Sequence, residues 1–191
     1  MKPPRLVLAS SSPRRSELLR QLGIRFEVIP AVAGEVSPKY LSPQEVCQIN
    51  AHRKARAIAR HHVDALVIGA DTVVALGTTI FGKPTDTADA QRMLRALSGK
   101  THEVITGVAL MEIAAQRERL FAVSTTVVFR KLTAARINEY VAKVHTLDKA
   151  GAYAIQEHGE MIVEKINGSF SNVVGLPLER LEQELREWQV R

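Results

Sequence analysis

Two arginines follow a serine triplet near the start of the chain, in Ser10-Ser-Ser-Pro-Arg-Arg15. Hydroxyls and forked guanidinium cations are groups that grip phosphate oxygens. Ser12-Pro13 predicts a helix start, with a side-chain oxygen at the N-cap and proline at the first helical position. A helix N-terminus adds free N–H groups and partial positive charge, so the segment suits a polyphosphate. Equally, it suits a capped helix carrying two solvated arginines. No Gly-x-x-x-x-Gly-Lys-[Ser/Thr] loop occurs in the chain, so any phosphate grip here is not a P-loop. Three more positions could do chemistry. Asp71, in Gly69-Ala-Asp-Thr72, follows an apolar run. An aspartate at such a strand end can hold a divalent cation or take a proton from water, or simply close a turn. Lys83 stands between Gly82 and Pro84, which would hold it in place or make an ordinary surface turn. Lys54 shares a helical row with Val46, Asn50 and Ile58, so it must reach solvent or meet an anion.

These positions need elements to carry them. Arg5 to Ala9 reads as a buried strand, and the helix after Pro13 places Leu18, Leu19 and Leu22 on one face before Gly23 stops it. Ile24 to Ile29 reads as a second strand, followed by a loop from Ala31 to Leu41 that contains Glu35. Ser42-Pro-Gln-Glu45 is a capping box with proline at the first position, predicting a helix to about His61. Ala65 to Gly69 reads as a strand continuing through Ala75, and Thr87 to Leu97 as a helix with Ala90, Met93, Leu94 and Leu97 inward. Glu103 to Ile113 and Arg119 to Phe129 read as an antiparallel pair. Thr133 caps a further helix, Ala150 to Gln156 is a loop or strand, Met161 to Ile166 a strand, and a last helix follows Pro177. Strands and helices alternate, with both crossovers and a hairpin. The expected fold class is therefore α/β with a mixed sheet.

The remaining composition narrows the function. The chain has 191 residues, enough to bury roughly 70% of its unfolded surface as one domain spanning residues 1–191. Apolar residues make up 46% and charged residues 24%, which excludes disorder, collagen and coiled coil. No stretch reaches the ~20 apolar residues a membrane helix needs, and the start lacks a secretory core. The only cysteine, Cys47, cannot form an internal disulfide, so a cytoplasmic setting is expected. A net charge of +6 favours a polyanionic partner. The basic residues are scattered and do not interleave with the few aromatics, which disfavours nucleic acid. The six histidines show no metal-binding spacing.

In their order, the segments Leu8-Ala-Ser-Ser-Ser-Pro-Arg-Arg-Ser-Glu-Leu-Leu19, Lys54-Ala, Gly69-Ala-Asp-Thr72, Gly82-Lys-Pro84, Leu97-Ser-Gly99, Asp148-Lys-Ala-Gly-Ala-Tyr153, Gln156 and Val174-Gly-Leu-Pro177 form a pattern. From about Leu6 to Leu185 the chain resembles the Maf family of nucleoside triphosphate pyrophosphatases. The resemblance implies an elongated mixed sheet with flanking helices and two lobes around a central cleft, as in the inosine triphosphate pyrophosphatases. It implies cleavage of a nucleoside triphosphate between the α and β phosphates, a divalent cation (Mg²⁺ or Mn²⁺), a cytoplasmic homodimer and a link to septum formation.

Carried over by position, Ser10, Arg14, Arg15, Lys54 and Lys83 match the family's substrate-binding residues. Asp71 matches its proton acceptor, and Asp71 with Glu35 its metal partners. The chain departs from the common Asp-Glu pair, because Gly34 precedes Glu35. Arg14, Thr72 and Gln156 resemble the branch acting on dTTP and UTP. The branch acting on 7-methyl-GTP has Trp, Gln and Glu at these positions. A glutamine amide offers a donor and an acceptor, matching the O4/N3–H edge of uracil or thymine, although it could serve other bases.

Overall fold

The structure, a computed structural model, describes residues 4–38 and 40–190. In chain order its elements are β1 (Arg5–Leu8), α1 (Pro13–Arg20), β2 (Glu27–Val28), α2 (Pro43–Ala59), β3 (Ala65–Leu76), β4 (Thr79–Phe81), α3 (Thr87–Leu97), β5 (Thr101–Glu112), β6 (Arg117–Phe129), α4 (Ala134–Lys143), β7 (Val163–Asn167), α5 (Phe170–Val174) and α6 (Leu178–Glu187). The strands form one mixed sheet in the order β2-β1-β3-β5-β6-β7, with β4 added to β3. β1 runs parallel to β3, while β4, β5, β6 and β7 pair antiparallel to their neighbours.

The side chains of β3 alternate between two environments. Leu66, Ile68 and Ala70 join α1 and α6 in one core, with Leu18, Leu19, Leu181 and Leu185. On the same face, Val74 joins a second core with Leu94 and Leu97 of α3, Ile137 and Tyr140 of α4, and Phe129 of β6. The opposite face carries Ala65, Val67, Val73 and Ala75, which pack with α2. Two lobes of core thus share the long strands β3, β5 and β6.

The helix signals act as their chemistry requires. The Ser42 N–H donates to Glu45 Oε2 at 2.8 Å and the Glu45 N–H donates to Ser42 Oγ at 3.3 Å, closing the capping box of α2. Thr133 Oγ1 accepts the Arg136 N–H at 3.2 Å and starts α4. Two expectations need correction. Ser12 occupies the N-cap of α1, but its side chain makes no capping bond. The local hydroxyl bonding runs backward instead: the Ser12 N–H donates to Ser10 Oγ at 3.2 Å. The second strand shrinks to Glu27–Val28, an exposed edge pair, and the flanking Phe26 and Ile29 pack against the cores beside the sheet. Of the two readings of Ala150 to Gln156, the structure takes the loop, with a 3₁₀ turn at Ala150–Ala152 where Gly151 sits at φ +69° and breaks any extended run. Neither β4 nor α5 carries a sequence signal long enough to expect it.

Candidate active site

The sheet has a gap, and the chemistry sits in it. β1 pairs with β3 up to Leu8 opposite Ile68, and β4 pairs with the same edge only from Val74 opposite Phe81. Among the described residues, positions 69–73 of β3 therefore have no strand on that edge. A cleft of about 470 Å³ opens there. Its walls include Ser10, Arg14, Arg15, Glu35, Lys54, Asp71, Thr72, Lys83 and Gln156. Every residue singled out from the sequence lies on this one hollow.

Asp71 and Thr72 are neighbours on β3, so they point to opposite faces. Asp71 faces α2. That helix lies unusually close to the sheet because Gly69 and Gly107 face it. A Cβ built on Gly69 would stand 2.3 Å from the Ala51 carbonyl oxygen, and one on Gly107 would stand 2.5 Å from that of Cys47. The close approach brings a polar row of α2 to the gap. Lys54 Nζ donates to Asp71 Oδ1 at 2.6 Å and to Glu35 Oε1 at 2.8 Å. Asp71 is buried and Lys54 largely so, with side-chain exposures of 9% and 13%. Lys54 has met its anion.

Asn50, one turn earlier on α2, holds the same group from the other side. Its Nδ2 donates to Asp71 Oδ2 at 3.2 Å and to the Val36 carbonyl at 3.0 Å, while its Oδ1 accepts the Val36 N–H at 2.9 Å. The loop bearing Glu35 is thereby tied to α2. Burial would raise the Glu35 pKa, yet the Lys54 ammonium prevails, with help from Lys83 and Arg15, and keeps it below the ordinary range. The sequence puts Asn50 on the Lys54 row without a role of its own. Its signal there is an amide one turn before a lysine on a row that faces the sheet, where polar groups must find partners.

Thr72 faces the other side, toward α1 and α5. The Arg15 guanidinium makes a fork there: Nε donates to the Gly175 carbonyl at 2.8 Å and one terminal nitrogen donates to Thr72 Oγ1 at 2.9 Å. The other terminal nitrogen lies 3.4 Å from Ser10 Oγ. Burial lowers the Arg15 pKa, and Asp71 opposes the shift.

The far wall is the segment from Asp148 to Gln156. Arg14 donates to Asp148 Oδ2 at 2.8 Å, joining α1 to this wall. Lys149, only 5% exposed, donates to the same carboxylate at 2.9 Å. Burial alone would raise the Asp148 pKa, but Arg14 and Lys149 take it down to about 2. The Gly151 N–H donates to the Gly82 carbonyl at 3.0 Å, fastening the Lys83 loop to this wall. Lys83 and Gln156 are both exposed at the cleft.

Five cationic side chains face three carboxylates on this surface: Arg14, Arg15, Lys54, Lys83 and Lys149 against Glu35, Asp71 and Asp148. The excess of positive charge suits an anion. Among the described residues, no group of three or more His, Cys, Asp and Glu side chains could enclose a metal. Asp71 and Glu35, both drawn to one ammonium, offer two hard oxygen donors. That is the donor set of a cation shared with substrate phosphates, and it fits Mg²⁺ or Mn²⁺. Cys47 is buried and its thiol is pushed up to about 12 by burial, which leaves it inert. No helix among the described residues is long and apolar enough to cross a membrane.

Comparisons with known proteins bear on the fold and the family. A solved HAM1 protein from Coxiella burnetii covers 96% of this chain and 99% of its own, with a TM-score of 0.53 and 19% identity, a likeness of fold. A protein of Bacillus cereus (strain AH820) named dTTP/UTP pyrophosphatase is 45% identical over 97% of this chain and 96% of its own length. A protein of Akkermansia muciniphila with the same name is 47% identical over 92% of each. The family model described as Maf-like protein matches residues 5–188, and the chain belongs to that family.

Proposed function

We propose that this protein hydrolyses nucleoside triphosphates, dTTP and UTP foremost, to the monophosphate and pyrophosphate with the help of a divalent cation. One observation carries the reading. A buried carboxylate, Asp71, lies in a strand-edge cleft whose walls carry five cations. Such a surface recognises a polyphosphate and can break it.

The chain's own groups divide the work. Arg14, Arg15, Lys83 and the α1 N-terminus, with Ser10, hold the triphosphate tail. Lys54 and Asn50 keep Asp71 oriented, so that it can accept a proton from the attacking water. The new oxygen–phosphorus bond forms at the α-phosphorus, and the bridging bond to the β-phosphate breaks. Charge growing on the leaving pyrophosphate falls among Arg15, Lys54 and Lys83. Asp71 and Glu35 would hold the divalent cation, which when bound supplies Lewis-acid polarisation of phosphoryl oxygens. Gln156 favours a pyrimidine, because a mismatched base edge leaves its amide unpaired.

The same reading treats residues 1–191 as one catalytic domain working in the cytoplasm as a homodimer. Incubating the protein with Mg²⁺ or Mn²⁺ and a panel of nucleotides, then assaying pyrophosphate, tests it. Release from dTTP and UTP is expected. Preference for 7-methyl-GTP would move the protein to the other branch, and no release with salt-dependent DNA binding would replace the enzyme with a nucleic-acid binder.

A further inference from the structure

Thr72 on β3 and Thr106 on β5 are direct cross-strand partners. Their hydroxyl oxygens are 3.0 Å apart, and Thr106 has no exposed surface. The Thr106 hydroxyl donates to the Asn172 carbonyl at 3.1 Å. That donation leaves the Thr106 oxygen free to accept the Thr72 proton, and the Thr72 oxygen free to accept from Arg15 at 2.9 Å. The protons of this relay all run one way, from the guanidinium into the sheet, and end on a backbone carbonyl. Hydrogen bonds aligned in this manner strengthen one another.

The end of the relay is anchored. Asn172, fully buried on α5, donates through Nδ2 to the Val104 carbonyl at 2.9 Å and to Thr125 Oγ1 at 3.0 Å. Gly175, just after α5, accepts the Arg15 Nε. Its φ of +126° disfavours a side chain, and an added Cβ would lie 3.5 Å from both Arg15 Nε and Thr72 Oγ1. The Nε edge of the guanidinium is thus fixed by the carbonyl after α5 and by the sheet, and the other terminal nitrogen remains toward Ser10 and the cleft. Thr106 lies behind Thr72 and is absent from the cleft wall.

We propose that Thr106 is a positioning residue: acting through Thr72, its hydroxyl sets the direction in which the Arg15 guanidinium meets the substrate's phosphates. The proposal rests on the reading of Arg15 as a triphosphate ligand. Removing the hydroxyl frees the Thr72 proton to turn toward the Gly175 carbonyl, 3.5 Å away, where it competes with Arg15. Misplacement of a binding group by about 1 Å can cost roughly hundredfold in rate, and a smaller tilt proportionately less.

The test is a double-mutant cycle on the full chain, with kcat/KM for dTTP read by pyrophosphate release and thermal unfolding followed for each variant. Thr106→Val keeps the shape and removes the hydroxyl, and Thr106→Ser keeps the hydroxyl. Thr106→Ala replaces the valine if that variant does not fold, and Arg15→Lys replaces Arg15→Ala on the same ground. The expected result is a loss of at least about tenfold in Thr106→Val, near-normal activity in Thr106→Ser, and no further loss when Thr106→Val is added to the Arg15 variant. A Thr106→Val enzyme of normal activity, a serine variant as poor as the valine, or losses that add to those of Arg15 overturns the proposal while leaving Arg15 as a ligand. Normal activity in the Arg15 variant removes Arg15 from the proposed function and this inference with it.

Discussion

Lys54 Nζ lies between two carboxylates, 2.6 Å from Asp71 Oδ1 and 2.8 Å from Glu35 Oε1. The two acids reach it from a strand and a loop that the sequence sets 36 positions apart. The ammonium thus joins the groups proposed to hold the cation and the proton, and it sets what each substitution should do.

Asp71→Asn keeps the volume but removes the charge and the base. Turnover should fall at least ~10²-fold, the scale of a general-base contribution. Pyrophosphate release under saturating substrate measures it, with circular dichroism to show the fold retained. Near-normal turnover would take Asp71 out of the mechanism.

Lys54→Met strands the buried Asp71 carboxylate beside Asn50 alone. Removing one partner of a buried pair costs roughly 3 kcal/mol. Urea unfolding at neutral pH should show a loss of that order. A variant as stable as the parent would mean that solvent already screens the pair.

Lys83 is exposed and stands beside the cleft rather than in a core. Lys83→Ala should raise KM for the triphosphate while unfolding within about 0.5 kcal/mol of the parent, as surface changes do. Loss of the fold would instead make Lys83 a structural turn residue.

Gly69→Ala drives a methyl group into the Ala51 carbonyl, backbone that cannot step aside. Overpacking of this kind costs about 1–3 kcal/mol. Activity should fall further than stability alone explains, since Asn50 and Lys54 ride on the displaced helix. Gly34→Ala meets nothing within 4 Å and serves as the control.

His102 is buried beside Phe129, and its Nε2 lies 2.8 Å from the Tyr153 hydroxyl. Burial lowers its pKa from 6.5 to about 4. Between these values the unfolded chain binds the proton and the folded chain does not, so acid favours unfolding. Stability is full above pH 6.5 and declines as pH falls toward about 4. His102→Gln should flatten that part of the curve in urea midpoints taken from pH 7.5 to 4.

Long periodic segments were legible in the sequence because their signals are local. The α2 capping box, the α3 stripe and the β5–β6 hairpin needed no knowledge of distant residues. β4 and α5 were not legible: with three and five residues, their existence depends on what they pack against. The same distinction applies to the site. Asp71 and Lys54 stood out by type and position, whereas the role of Asn50 depends on a loop it touches 14 residues away. Thr106 carries no local mark at all, since only the β3–β5 register puts it behind Thr72.

The two cores share strands of 12 and 13 residues rather than a linker. Rocking one lobe against the other must flex a continuous hydrogen-bonded ladder, since no hinge loop divides those strands. The recess is accordingly preorganised, and a ligand entering it loses little affinity to domain closure. On the proposed function, adaptation to different bases would fall to the exposed rim around Gln156.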